Sequence, residues 1–178
     1  MSKIYTGIGA RSTPPDIISI MTQTATLLSE LGWCLRSGGA DGADTAFEVG
    51  HKLEKEIYIP WKNFNNHRTD DYIVVGENKP IMEMASKIHP AWFRCNRGAK
   101  LLHTRNICQV LGPDPIANPI PSKFVLAYTQ KGELQGGTRT ALVCAIQHDI
   151  PIFNFGAFEH LPKEMVLDRL QDFLVDFL

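Results

Sequence analysis

The chain has 178 residues, 44% of them hydrophobic and 21% charged, with a formal net charge of −1 and a pI of about 6.6. That is enough chain for one domain with a full core, and the near-zero charge excludes a protein that coats nucleic acid. No apolar run nears the roughly 18–20 residues of a membrane helix, and Met1-Ser2-Lys3-Ile4 has no signal-peptide pattern, so the cytoplasm is the expected compartment.

The four cysteines (Cys34, Cys95, Cys108 and Cys144) form no CxxC pair, and the six histidines show no ligand spacing such as HExxH. Neither a metal site nor a cofactor is expected.

In chain order, Ile4 to Ile8 reads as a first strand ending in Gly7-Ile8-Gly9-Ala10-Arg11-Ser12. Thr13-Pro14-Pro15-Asp16 reads as a helix start, with Thr13 as the cap and a proline at the first helical position. That helix carries Ile17, Ile20, Met21 and Leu28 on one face and stops at Gly32. A short buried strand from Trp33 to Arg36 breaks at Ser37-Gly38-Gly39, and the period then turns helical through Ala43, Ala46 and Phe47 to about His51.

Glu56 to Trp61 is a third strand stopped by Pro60. Residues 62–79 read as an irregular excursion over one edge of the site, followed by helices near 80–88 and 91–111. The proline-rich run 112–121 is a surface loop. Lys123 to Thr129 is uniformly apolar, as in a parallel sheet. Gly136-Gly137-Thr138 opens a helix to His148, Pro151 to Phe155 is a further strand, and Lys163 to Leu178 is an amphipathic closing helix. Strands alternating with helices predict an α/β fold: a doubly wound parallel sheet of five strands or slightly more, in a single domain over residues 1–178.

In such a sheet ligands bind outside the carboxyl ends of the strands. Three glycine-bearing turns follow three apolar strands and should converge on that edge: Gly9-Ala10-Arg11, Ser37 to Asp44, and Gly136-Gly137-Thr138. Glycines let the backbone approach an anion, and the free N–H groups of a first helical turn point at it. Gly7-x-Gly9-x-x-Ser12 is only part of a dinucleotide fingerprint, and Arg36 stands where a ribose-holding acid belongs, so an NAD dehydrogenase is disfavoured; no Walker sequence is present either.

The side chains around these turns have readable jobs. Arg11 offers a fork for phosphate or carboxylate, or else a surface salt bridge. Asp41 and Asp44 fall near the first helical turn, Asp41 to cap it and Asp44 to face the ligand, its carboxylate kept ionised by the helix N-terminus. Thr138 is an N-cap or a hydroxyl at the anion. Arg105-Asn106 closes a segment, Ala85 to Pro113, that holds basic residues and no acidic one, and should enter the site from the side. The expected ligand set is Gly9, Ala10, Arg11, Ser37, Gly38, Gly39, Ala40, Asp41, Asp44, Arg105, Asn106, Gly136, Gly137, Thr138 and Arg139.

Gly9-Ala10-Arg11, Ser37-Gly38-Gly39-Ala40-Asp41-Gly42-Ala43-Asp44 and Gly136-Gly137-Thr138 resemble the SLOG superfamily of Rossmann-like nucleotide-binding proteins, which includes the DNA-processing protein DprA and the LOG phosphoribohydrolases. The whole chain is most similar to short DprA-like proteins encoded by bacteriophages. The resemblance implies a pocket for a nucleotide-derived ligand, related to NAD or ADP-ribose or to a cyclic nucleotide signal, and a phage protein that sequesters an immune signal of its host.

The resemblance also implies a homodimer or higher oligomer, for which Trp92-Phe93 is a plausible exposed anchor. LOG enzymes carry a PGGxGTxxE stretch; the corresponding run here is Gln135 to Val143, with Val143 where the glutamate stands. Cleavage of an N-glycosidic or phosphate bond is therefore the second expectation, with Asp44 or Glu48 as the substitute acid. A DprA-like DNA recombination mediator comes third, because that role leans on a basic surface and flanking domains; nucleic acid is not the expected partner.

Overall fold

The computed structural model describes residues 3–178, so Met1 and Ser2 lie outside the described residues. Six strands form one sheet: β1 (Ile4–Gly9), β2 (Cys34–Ser37), β3 (Lys55–Ile59), β4 (Tyr72–Val74), β5 (Phe124–Tyr128) and β6 (Ile152–Asn154). All adjacent pairs are parallel, in the order β4-β3-β2-β1-β5-β6. Every residue of β5 is buried, as an apolar run must be when helices cover both sheet faces.

One face carries α1 (Pro15–Glu30), α2 (Ala43–Gly50) and α6 (Lys163–Leu174) over an aromatic core in which Tyr5 stacks on Phe124 at 5.8 Å. The other carries α3 (Lys79–Ile88), α4 (Arg97–Leu111) and α5 (Arg139–Gln147) over an aliphatic core that includes Ile8, Ile107, Val125 and Leu142. From β1 the chain winds outward through β2, β3 and β4, then returns to β5 on the other side of β1. The order of winding reverses there, and a crevice opens at the carboxyl ends. No helix among the described residues is long and apolar enough to cross a membrane.

Several local expectations change. β4 lies inside the stretch expected to be irregular: Tyr72 pairs with Ile57, and its hydroxyl donates to Glu48 at 2.7 Å. As an exposed edge strand of only three residues it leaves no burial period in the sequence. Thr13 does not cap α1. Its hydroxyl donates to the Ala10 carbonyl at 2.6 Å and closes the preceding turn, while Pro14 holds the cap position.

The helix expected from residue 91 is split. His89-Pro90 holds the chain extended, a short turn follows at Trp92–Arg94, and Asn96 starts α4 by accepting the Ala99 N–H at 2.8 Å. α6 ends at Leu174, short of the expected Leu178. Arg36 is fully buried in β2, with Nε on Glu56 at 2.6 Å and a second nitrogen donating to the Ile120 carbonyl. It ties the proline-rich loop to the sheet.

Candidate functional site

The crevice is built by close backbone approach. A Cβ at Gly9 would lie 2.7 Å from the Ala43 Cβ and 2.8 Å from the Tyr128 carbonyl oxygen, so only glycine lets β1, β5 and α2 meet. Gly42, at φ 80°, turns the β2–α2 loop against the β1–α1 loop; a Cβ there would sit 2.6 Å from the Ala10 oxygen. Between these loops lies a cavity of about 600 Å³, within the range of small-molecule sites. Its walls are Ile8 to Ser12, Ala40 and Asp44, the α4 residues Leu102, Arg105, Asn106 and Gln109, then Thr129, Gln130 and Gln135 to Thr138.

The floor is charged and buried. Asp44, 3% exposed, accepts the Gly9 N–H at 3.2 Å through one oxygen and the Ala40 N–H at 3.4 Å through the other. Arg105, 5% exposed, donates to the Gly38 carbonyl, to the Tyr58 carbonyl at 3.1 Å and to the Asn106 side chain at 3.0 Å. Burial pushes the Asp44 carboxyl up to about 6, against the pull of Arg105 and of the two amide bonds. Burial likewise lowers Arg105 to about 10, against the pull of Asp44. Against the expectation that the helix N-terminus favours the ionised carboxylate, burial shifts Asp44 toward the protonated form, because loss of water outweighs the donors. Both groups still carry charge at pH 7. Asn106 donates to the Gly137 carbonyl at 2.6 Å and so fixes the third loop to α4.

The rim differs. Arg11 and Ser12 are exposed, and Arg11 has no hydrogen bond or ion pair among the described residues. Gln135, Gly136 and Gly137 are exposed and Thr138 half-buried, its side chain making no cap bond to α5. Thr129 is held by Asn154, which accepts its N–H at 3.1 Å and donates to its hydroxyl at 2.6 Å.

The structure thus brings together Gly9, Ala10, Arg11, Ala40, Asp44, Arg105, Asn106, Gly136, Gly137 and Thr138 around one cavity. Five expected residues do not line it. The Ser37 hydroxyl donates to the Gly7 carbonyl at 2.6 Å, locking β2 to β1. The Gly38 carbonyl is taken by Arg105, and the Gly39 carbonyl accepts from Asn65 at 3.0 Å and sits 2.7 Å from His67 Nε2. Asp41 does not cap α2; it accepts from Asn65 at 3.1 Å, and Gly42 holds the cap position. Arg139 turns away and donates to the Ile88 carbonyl at 3.0 Å.

Val143 packs into the aliphatic core, and Glu48 is engaged by Tyr72, so Asp44 is the one carboxylate on the cavity wall among the described residues. Sequence reasoning missed Ile8, Ser12, Leu102, Gln109, Thr129, Gln130 and Gln135 as lining residues. Gln109 was findable, since it follows Arg105 by four on a helix and shares its face. Gln130 was not, because its place depends on a turn through Lys131 at φ 55°.

No family model matches this chain, and no curated protein matches its sequence. Among solved structures it is similar to DNA processing protein A from Helicobacter pylori, described for its mode of single-stranded DNA binding, with a TM-score of 0.57 and 19% identity over 86% of this chain. The chain spans 65% of the length of that protein. It is also similar to the Moco carrier protein of Chlamydomonas rheinhardtii, with a TM-score of 0.47 and 14% identity, over 88% of this chain and 77% of that one. The likeness is one of fold: a parallel α/β sheet arranged as in DNA processing protein A.

Proposed function

We propose that this protein binds a small nucleotide-derived anion in the crevice at the carboxyl ends of β1, β2 and β5, and that it holds the molecule rather than transforming it. The observation that carries the reading is the guanidinium of Arg11, unpartnered among the described residues and placed with the exposed Gly136-Gly137 backbone on one rim of a nucleotide-sized cavity. A phosphate there would meet a charge-assisted fork and the N–H groups that open α5. A ligand related to ADP-ribose or a cyclic nucleotide suits the amide-rich wall of Gln109, Gln130 and Gln135, which can donate and accept toward ribose and base. Complementarity to the ground state is all that a sink for such a signal requires.

One observation favours hydrolysis as a second reading. The Asp44 carboxyl lies at about 6, near the working range of a general acid or base. Against it, both Asp44 oxygens already accept backbone N–H groups. Single-stranded DNA is the competing ligand, because the DprA protein of similar fold binds it.

The deciding experiment incubates the protein with ADP-ribose, cyclic nucleotides and a short single-stranded oligonucleotide, then identifies bound and heat-released species by mass spectrometry. Intact nucleotide recovered at one per chain supports the reading. Free base with ribose phosphate in excess of protein moves hydrolysis to first place, and oligonucleotide bound to the exclusion of small nucleotides overturns the pocket.

A further inference from the structure

Behind the α4–α5 wall of the crevice, two imidazoles and a thiol, modestly spaced in sequence, converge. His89 ends α3, Cys95 follows the Trp92–Arg94 turn, and His103 lies in the second turn of α4. One potential ligand atom from each lies within 4.8 Å of the other two, and Cys95 Sγ is 3.8 Å from both ring nitrogens of His89. With zinc bonds of about 2.3 Å to sulfur and about 2.0–2.1 Å to nitrogen, tetrahedral ligand atoms stand roughly 3.3–3.6 Å apart. The three side chains need contract by a fraction of an ångström to at most about 1.5 Å to close on an ion.

The surroundings also fit. His103 is 7% exposed, and its Nδ1 is 2.8 Å from the buried Thr140 hydroxyl, which orients the ring and leaves Nε2 for coordination. The rings of His89 and His103 lie 4.4 Å apart between centroids, with Trp92 flanking both. His89 and Cys95 are half-buried, so one side of the cluster is open to water.

We propose that His89, Cys95 and His103 form a site for a zinc-class divalent cation, with one thiolate, two imidazoles and a water in the fourth position. One thiolate with two imidazoles is the donor set of zinc and of its spectroscopic substitute cobalt, and is too soft for magnesium or calcium. On binding, the Cys95 thiol gives its proton to solvent as the metal–sulfur bond forms. Ligation through His89 Nε2 moves that ring's proton to Nδ1, so Ala91 exchanges its 3.1 Å N–H bond to that nitrogen for one to water.

The ion would pin the irregular connection between α3 and α4 onto α4 and, through Thr140, onto α5. Asn106 and Thr138, which line the crevice, lie within a turn of His103 and Thr140 on those same helices. The site is a brace for that wall. Its existence does not depend on what the crevice binds, and it reverses the expectation drawn from ligand spacing alone.

The test uses the full chain, stripped with a chelator and then titrated with zinc or cobalt. Expected are one zinc per chain by elemental analysis and a cobalt spectrum with tetrahedral ligand-field bands and a thiolate charge-transfer band. Cys95→Ser should abolish that band, whereas Cys34→Ser should preserve it. Zinc at a hundredfold excess over Kd should raise Tm by roughly 5–10 °C in the wild type and far less in Cys95→Ser. An octahedral cobalt spectrum, or a charge-transfer band that survives Cys95→Ser, would overturn the site. Cys95 is half-buried, so its serine variant is expected to fold, which a thermal melt checks; His103→Gln, read by the same spectrum, gives a second arm that should also lose tetrahedral coordination.

Discussion

The floor and the rim of the crevice are made of the same residue types yet do different work. On the floor, Arg105 and Asp44 are buried and their hydrogen bonds are spent within the protein, on the backbone at Gly38, Tyr58, Gly9 and Ala40 and on the Asn106 side chain. On the rim, Arg11 is exposed and has no partner among the described residues, and the glycines beside Thr138 are exposed. A charged side chain whose bonds are already made holds loops in place, and one whose bonds are unmade is available to a ligand. The two arginines should therefore fail in opposite ways when removed.

The largest effect is expected from Arg105→Ala. It leaves Asp44 buried without its counter-charge and strips two buried carbonyls of their donor. Stability should fall by about 3–5 kcal/mol, read as a drop in the urea midpoint. A loss below 1 kcal/mol would mean that Arg105 is not the keystone of the floor.

Arg11→Ala should do the reverse. Stability stays within about 0.5 kcal/mol, while affinity for an anionic nucleotide falls roughly tenfold to a hundredfold. Titration calorimetry beside a thermal melt reads both quantities on one sample. If the melt moves and the affinity does not, Arg11 belongs with the floor.

The Asp44 carboxyl gives a pH signature. Its folded value of about 6 lies above the ordinary 3.8, with Arg105 and Glu48 the charged groups facing it. The folded state thus binds the proton more tightly, and Asp44's contribution to stability is greatest below about pH 4 and is lost as pH rises through 6. The stability of the wild type relative to Asp44→Asn should drop by about 2 kcal/mol between pH 4 and pH 7. A gap that widens with pH would show that attraction to Arg105 outweighs burial.

Ser37→Ala carries the smallest effect, about 1 kcal/mol of stability from the lost bond to Gly7, with ligand affinity changed less than twofold.

The sheet was legible because its evidence is local: uniformly apolar runs such as Phe124 to Tyr128, each ended by turn residues, can hardly form anything but buried strands. The convergence of three glycine turns was legible for the same reason, since topology alone sends them to one edge. What sequence could not separate was floor from rim. Ser37 and Arg11 read alike as polar residues beside glycines, and only the fold shows that one hydroxyl is spent on a neighbouring strand. Arg139 likewise follows Thr138 directly, but the helical turn rotates it toward Ile88. The trio of His89, Cys95 and His103 was invisible because its spacing is set by an irregular connection, which no periodicity describes.

The most direct measurement is a backbone amide NMR titration of the wild-type chain with ADP-ribose. The account predicts shift changes concentrated at the amides of residues 9–12 and 136–139, saturating at one ligand per chain, with Ser37 and Gly38 little moved. Changes confined to residues 87–100, or none at saturating nucleotide while an oligonucleotide produces them, would contradict it.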